Sequence, residues 1–155
     1  MSIAQKLVAT LLQKNFTFAV AESCTGGLLG ATVTDIAGSS AVFMGGVVAY
    51  DNLVKAKVLR ISDQTLTSPG AVSEKCALEM AVNIKALLNT STSIAITGIA
   101  GPSGGTRRKP VGTVIIAATT DNKESVQTYH FSGDRGGVRR QSVEEAMKQL
   151  LTLLS

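Results

Sequence analysis

Residues 21–27 read AESCTGG and bring an acid, two hydroxyls, a thiol and two glycines into seven positions. Ser23 could act as a nucleophile presented on a sharp turn, or serve as a helix N-cap. Cys24 beside it is intrinsically the stronger nucleophile, and a helix N-terminus would lower its pKa. A serine nucleophile needs a base. His130 is the only histidine, and it alternates with Tyr129 and Phe131 along a predicted strand, so a Ser-His-Asp triad is poorly supported. A Ser-Lys pair is the alternative. Its lysine must be partly buried, so that a lowered pKa leaves a neutral amine able to accept the serine proton. Lys55 and Lys57 lie on one short predicted helix, and periodicity does not choose between them.

Two more glycine-bearing loops stand out, TGIAGPSGG at 97–105 and SGDRGG at 132–137. Glycine permits positive φ and close approach of backbone to a ligand, so three such loops converging at one sheet edge would cradle a phosphate or carboxylate. Taken singly they are ordinary tight turns, and none matches the Walker A loop or GxGxxG. Arg139 lies four residues before Val143 on an apolar stripe completed by Met147, Leu150 and Leu154, which turns it to the buried side of the last helix. There it opposes the helix dipole and calls for an anionic partner, a ligand phosphate or Asp134. Arg140 lies four before Glu144, the spacing of a surface pair.

The elements that must position these groups follow from hydrophobic period and breakers. Residues 1–15 form an amphipathic helix with Ile3, Leu7, Leu11 and Leu12 on one side. FTFAV at 16–20 reads as a strand and LLGATVTDI at 28–36 as a helix, so AESCTGG is a strand-to-helix turn of the kind that binds anions in open α/β sheets. GGVVAY at 45–50 is a second strand. A short helix at 51–61 follows, capped by Asp51 or Asn52. TSPG at 67–70 breaks the chain, Ser73 caps a helix through Leu88, and SIAIT at 93–97 is a buried strand. Residues 111–120 and 124–132 form an antiparallel hairpin around Asp121-Asn122-Lys123, and a final helix starts after Gly133-Asp134-Arg135. About five strands with helices before, between and after them predict one three-layer α/β/α domain over 1–155 with a mixed sheet.

Composition narrows the class. The chain has 155 residues, 45% hydrophobic and 17% charged, as a single globular domain would. Its net charge of +4 comes from scattered basic residues apart from Arg107-Arg108-Lys109 and Arg139-Arg140. With two tyrosines, four phenylalanines, no tryptophan and no RNA-binding signature, a solvated basic surface or a small anionic ligand fits better than nucleic acid. The N-terminus lacks the features of a signal peptide, and no apolar run approaches membrane-spanning length. Cys24 and Cys76 have no CxxC spacing and one histidine is too few for zinc, so the expectation is a cytoplasmic protein without metal.

Six motifs in order, AESCTGG, GSSAVFMGGVVAYDNLVKAKVL, GAVSE, TGIAGPSGG, KPVGTV and FSGDRGGVRRQ, resemble the CinA C-terminal-domain family from about residue 5 to the end. The resemblance implies a single α/β/α sandwich and a nicotinamide-nucleotide amidohydrolase, converting nicotinamide mononucleotide to nicotinate mononucleotide and ammonia. It places Ser23 as nucleophile, with Thr25, Gly26 and Gly27 on the substrate side of the same motif. Tyr-x-Asn-x-x-Lys puts Tyr50 and Lys55 in the site, GDR-x-x-x-R adds Arg135 and Arg139, and the loop from Thr97 adds Gly98, Gly101 and Gly104. In the implied reaction neutral Lys55 activates Ser23. Backbone N–H groups at the start of the following helix hold the oxyanion, a contribution of roughly 3 to 4 kcal/mol per donor. No cofactor is implied, the partner is a small-molecule nucleotide, and a homo-oligomer stays open. Larger family members carry an N-terminal molybdopterin-binding-like domain, for which this chain is too short. A nucleotide-binding regulatory module without turnover is the second reading.

Overall fold

In a computed structural model describing residues 1–155, Ser2 starts the first helix with a reciprocal cap: its hydroxyl accepts from the Gln5 N–H while the Gln5 side chain accepts from the Ser2 N–H. Helix α1 (Ile3–Lys14) buries Ala4, Leu7, Val8 and Leu11. Leu12, expected on that stripe, is 47% exposed, because the buried face centres on the i, i+3, i+4 row through Leu7 and Val8. Strand β1 (Phe18–Glu22) leads through the AESCTGG turn to α2 (Leu28–Thr34), and β2 (Phe43–Val48) to α3 (Asn52–Lys57), α4 (Asp63–Thr67) and α5 (Glu74–Leu88). Strands β3 (Thr92–Gly98), β4 (Thr113–Thr119) and β5 (Glu124–His130) then precede α6 (Arg135–Leu154). A short 3-10 turn at Ser39–Ala41 joins α2 to β2.

The sheet order is β2-β1-β3-β4-β5, with β1 parallel to β2 and β3 and the remaining pairs antiparallel. Strand period sorts the two faces. Phe18, Val20, Ile94, Ile96, Val114 and Ile116 pack against α1, α2 and α6. Ala19, Ala21, Ala95 and Ala117 face α5, where their small side chains accept Ala77, Met80, Ala81 and Ile84. That gives three layers, helices on both sides of a mixed sheet. No helix is long and apolar enough to cross a membrane.

Several boundaries differ from the sequence reading. β1 begins at Phe18 and runs on through Ala21 and Glu22, because central pairing with Val47, Val48, Ala95 and Ile96 overrides the weak strand preference of those two residues. The predicted helix at 51–61 ends at Lys57, and a separate α4 is capped by Ser62, whose hydroxyl accepts from the Thr65 N–H. Glu144 pairs with Lys148 at 3.0 Å, and no ion pair joins it to Arg140.

Among the glycines inside the strands, the tightest approach is at Gly46, opposite Val20 on β1. A Cβ there would sit 2.4 Å from the Val20 carbonyl oxygen and 2.4 Å from its Cγ2. Gly46→Ala is therefore expected to destabilise the domain by about 2 to 4 kcal/mol, since a backbone strand must move to admit it. Urea unfolding with a midpoint unchanged from wild type would contradict that packing.

Candidate active site

Phe18, Val20 and Glu22 lie on one face of β1, so the last of them points at the end of α2, which packs on that face. The Glu22 carboxylate is 1% exposed. It accepts from the Thr25 hydroxyl at 2.6 Å, the Leu29 N–H at 2.9 Å and the Gly30 N–H at 3.0 Å. The N-terminus of α2, expected from sequence to hold an oxyanion, is thus filled by the chain's own acid. Its first-turn donors are consumed, with the Leu28 N–H given to the Thr25 carbonyl.

The turn itself is pinned group by group. The Ser23 N–H donates to the Ile96 carbonyl, and the Ser23 carbonyl accepts from the Gly26 N–H. Arg139 donates through Nε to the Cys24 carbonyl at 3.1 Å and through Nη2 to the Thr25 carbonyl at 2.9 Å. Within the chain its partners are therefore two carbonyl dipoles and not Asp134. Asp134 caps α6 instead, accepting from the Gly137 N–H. The N–H groups of Cys24 and Thr25 donate to no other residue, the Cys24 N–H facing only its own sulfur.

Ser23 lines a cavity of about 300 Å³ between the β1, β2 and β3 ends. Of the two candidate lysines, Lys57 is exposed and Lys55 is 2% exposed. The Lys55 amine lies 2.9 Å from Ser23 Oγ, 2.8 Å from the Ala49 carbonyl and 3.0 Å from the Tyr50 carbonyl. Two of those neighbours are pure acceptors and the third carries a hydroxyl. An ammonium can donate to all three oxygens, and once it has lost a proton the amine still donates to the two carbonyls while its lone pair accepts from the Ser23 hydroxyl. Burial pushes the Lys55 pKa below the ordinary lysine value, the main cause being removal of the ammonium from water.

Burial has the opposite effect on Cys24. Its thiol is pushed up to about 11, and the helix N-terminus that would have lowered it already holds Glu22. At neutral pH that side chain is a protonated thiol. His130 pairs with Thr113 at the C-terminal end of β5, two strands across from β3, and does not line the cavity.

Of the other sequence candidates, Tyr50, Thr97, Gly98, Gly101, Gly104 and Arg135 line the same cavity. The Thr97 hydroxyl donates to the Ala71 carbonyl and fixes the floor. Arg135 bridges two walls, donating to the Gly101 carbonyl at 2.7 Å and to the Tyr50 hydroxyl at 3.0 Å. Along the glycine loop the N–H groups of Ala100, Gly101, Ser103 and Gly104 have no internal acceptor. Thr25, Gly26, Gly27 and Arg139 stand behind the Ser23 turn and do not line the cavity. Asn52 and Ser103 line it too, and sequence reasoning passed over both. Asn52 is the middle residue of the Tyr-x-Asn-x-x-Lys motif that had supplied Tyr50 and Lys55.

Comparison with known proteins covers the whole of this architecture. A CinA C-terminal domain model matches residues 1–154. A CinA-like protein of Fervidobacterium nodosum is 48% identical over 140 residues, 90% of this chain and 34% of the relative. One of Thermotoga maritima is 45% identical over 144 residues, 93% of this chain and 35% of the relative. The chain thus spans about a third of the length of these relatives. The crystal structure of the competence/damage inducible protein CihA of Agrobacterium tumefaciens superposes with a TM-score of 0.96 at 36% identity, covering 99% of this chain and 94% of that one. A CinA superfamily structure from Klebsiella pneumoniae gives 0.94 at 36% identity over 98% and 95% of the two chains. Matched from its first residue to the last turn of α6, with nearly half its residues shared, the chain belongs to the CinA C-terminal domain family.

Proposed function

We propose that the chain hydrolyses the carboxamide of nicotinamide mononucleotide, releasing ammonia and nicotinate mononucleotide. The observation that carries the reading is the buried Lys55 amine 2.9 Å from Ser23 Oγ in a cavity lined by donors. The family resemblance supplies the nucleotide, and the dyad supplies the chemistry. Lys55 as free amine takes the proton of Ser23, whose Oγ attacks the carboxamide carbon. The ammonium so formed returns that proton to the amide nitrogen as the C–N bond of the tetrahedral intermediate breaks, and ammonia leaves. Water then attacks the acyl-enzyme, its proton passing to Lys55 and from there to Ser23. Release of ammonia from nicotinamide mononucleotide by the purified chain tests the reading. A thermal shift with the nucleotide but no ammonia would instead support the regulatory module.

The cavity suggests a polarity for the bound substrate. The carboxamide belongs beside Ser23, and the phosphate belongs toward Arg135 and the unpaired N–H groups at 100–104. Arg135→Ala is expected to weaken nicotinamide mononucleotide binding by about 1.5 to 3 kcal/mol, the worth of a hydrogen bond to a charged group. Nicotinamide riboside, which has no phosphate, should be affected little. Equal losses on nucleotide and nucleoside would move Arg135 to the carboxamide end.

A further inference from the structure

We propose that Glu22 is a positioning residue of the acyl-transfer site, holding the Ser23 turn so that the Cys24 N–H is left as the oxyanion donor. The proposal rests on the serine-amidase reading above and deepens it.

The full set of polar groups in the turn leads there. From Ser23 to Thr25 every carbonyl is engaged: Ser23 by Gly26, Cys24 by Arg139, and Thr25 by Arg139 and Leu28. The Ser23 N–H is bound to Ile96 across the sheet. The N–H groups of Cys24, Thr25 and Gly27 donate to no other residue, and of these three residues only Cys24 lines the cavity beside Ser23. Because the peptide between Ser23 and Cys24 is planar and trans, tying its carbonyl to Gly26 aims its N–H the opposite way. The direction of that donor is thus set by the carbonyl partners and not by chance.

Two clamps hold the arrangement. Arg139 grips the outer carbonyls, and Glu22 grips the inner side through the Thr25 hydroxyl while it ties down Leu29 and Gly30. A preorganised donor stabilises a developing oxyanion because it need not reorient during the reaction. Loosening the clamp removes that advantage while leaving the substrate pocket, which Glu22 does not line, intact.

Glutamine at position 22 is the sharpest probe. It has one acceptor oxygen where glutamate has two, so its amide N–H₂ must face either the Thr25 hydroxyl and Leu29 N–H or the Gly30 N–H. A fluorophosphonate reads the nucleophile and oxyanion donor together, whatever the natural substrate. Ser23 Oγ forms a bond to phosphorus, the P–F bond breaks, fluoride leaves, and the serine proton passes to Lys55. The phosphonyl oxygen occupies the oxyanion position.

Labelling of wild type, Glu22→Gln, Thr25→Val and Thr25→Ser should be followed by intact-mass spectrometry, with Ser23→Ala as the blank. The second-order labelling rate is expected to fall on the order of 10- to 100-fold in Glu22→Gln and in Thr25→Val. It should recover to within about threefold of wild type in Thr25→Ser, which restores the hydroxyl that Glu22 accepts. In the amidase assay kcat should fall with KM nearly constant. If Glu22→Gln does not fold, the Thr25 pair carries the comparison alone. Labelling of folded Glu22→Gln or Thr25→Val within about twofold of wild type overturns the proposal, as does a loss that merely tracks the unfolded fraction. Wild type that labels at Ser23 yet releases no ammonia overturns the amidase reading and leaves the positioning role supported by the rates. Wild type that does not label overturns both.

Discussion

Ser23→Ala is expected to lower ammonia release on the order of 10⁴-fold or more, because the nucleophile of an acyl-transfer site has no substitute once its oxygen is gone. Cys24→Ala should keep most of the activity. The contrast is sharp because thiol chemistry alone would favour Cys24, whereas burial holds its pKa up at about 11 and keeps the thiol protonated. Ser23→Ala should also retain fold and nucleotide binding, since Ser23 Oγ has only the Lys55 amine as its hydrogen-bond partner. Paired steady-state assays and thermal melts decide the point, and a dead Cys24→Ala beside an active Ser23→Ala would reverse the roles.

The second large effect is at the base. Lys55→Arg should be slower by roughly 10³-fold, the scale of a general base, because guanidinium stays protonated at any working pH. Lys57→Arg, on the exposed side of α3, should be silent. The pH profile follows from the direction of the Lys55 shift. Its pKa in the folded chain lies below the ordinary lysine value and the active form is the free amine. The rate therefore rises as pH passes upward through that lowered pKa, levels off above it, and is lost below it. A rate flat across this range, or a Lys55→Arg enzyme near wild type, would show that a positive charge suffices.

Much of this was legible in the sequence for particular physical reasons. Ser73 before an apolar 3.6 period marks α5, and its hydroxyl does accept from the Cys76 N–H. The all-apolar run SIAIT marks a strand covered on both faces, and β3 is that strand. Asp51, one of two candidate caps, is the one whose side chain accepts from Leu53. Periodicity brought Lys55 and Lys57 onto one short helix but could not rank them. The ranking comes from the Ala49 and Tyr50 carbonyls, which draw Lys55 inward as β2 ends. The inward side of Arg139 was readable from its spacing to Val143, yet its partners were not. They belong to a turn more than a hundred residues earlier, and only the sheet brings the two together. Glu22 was the least readable. A lone acid at a strand end carries no local pattern, and its role depends on the α2 N–H groups closing over it.

The parallel pairing of β1 with β3 also sets the order in which this chain can become active. Thr17 and Ser91, and then Phe18 and Thr92, must meet across more than seventy residues before the Ser23 N–H can find Ile96. Contacts of such long sequence separation form late, since the entropy of closing the intervening loop comes before any reward. Helical signal should therefore return early on dilution from denaturant, while reactivity at Ser23 waits for the final cooperative step. In a refolding reaction the serine becomes a clock for the completed sheet, and helical content does not.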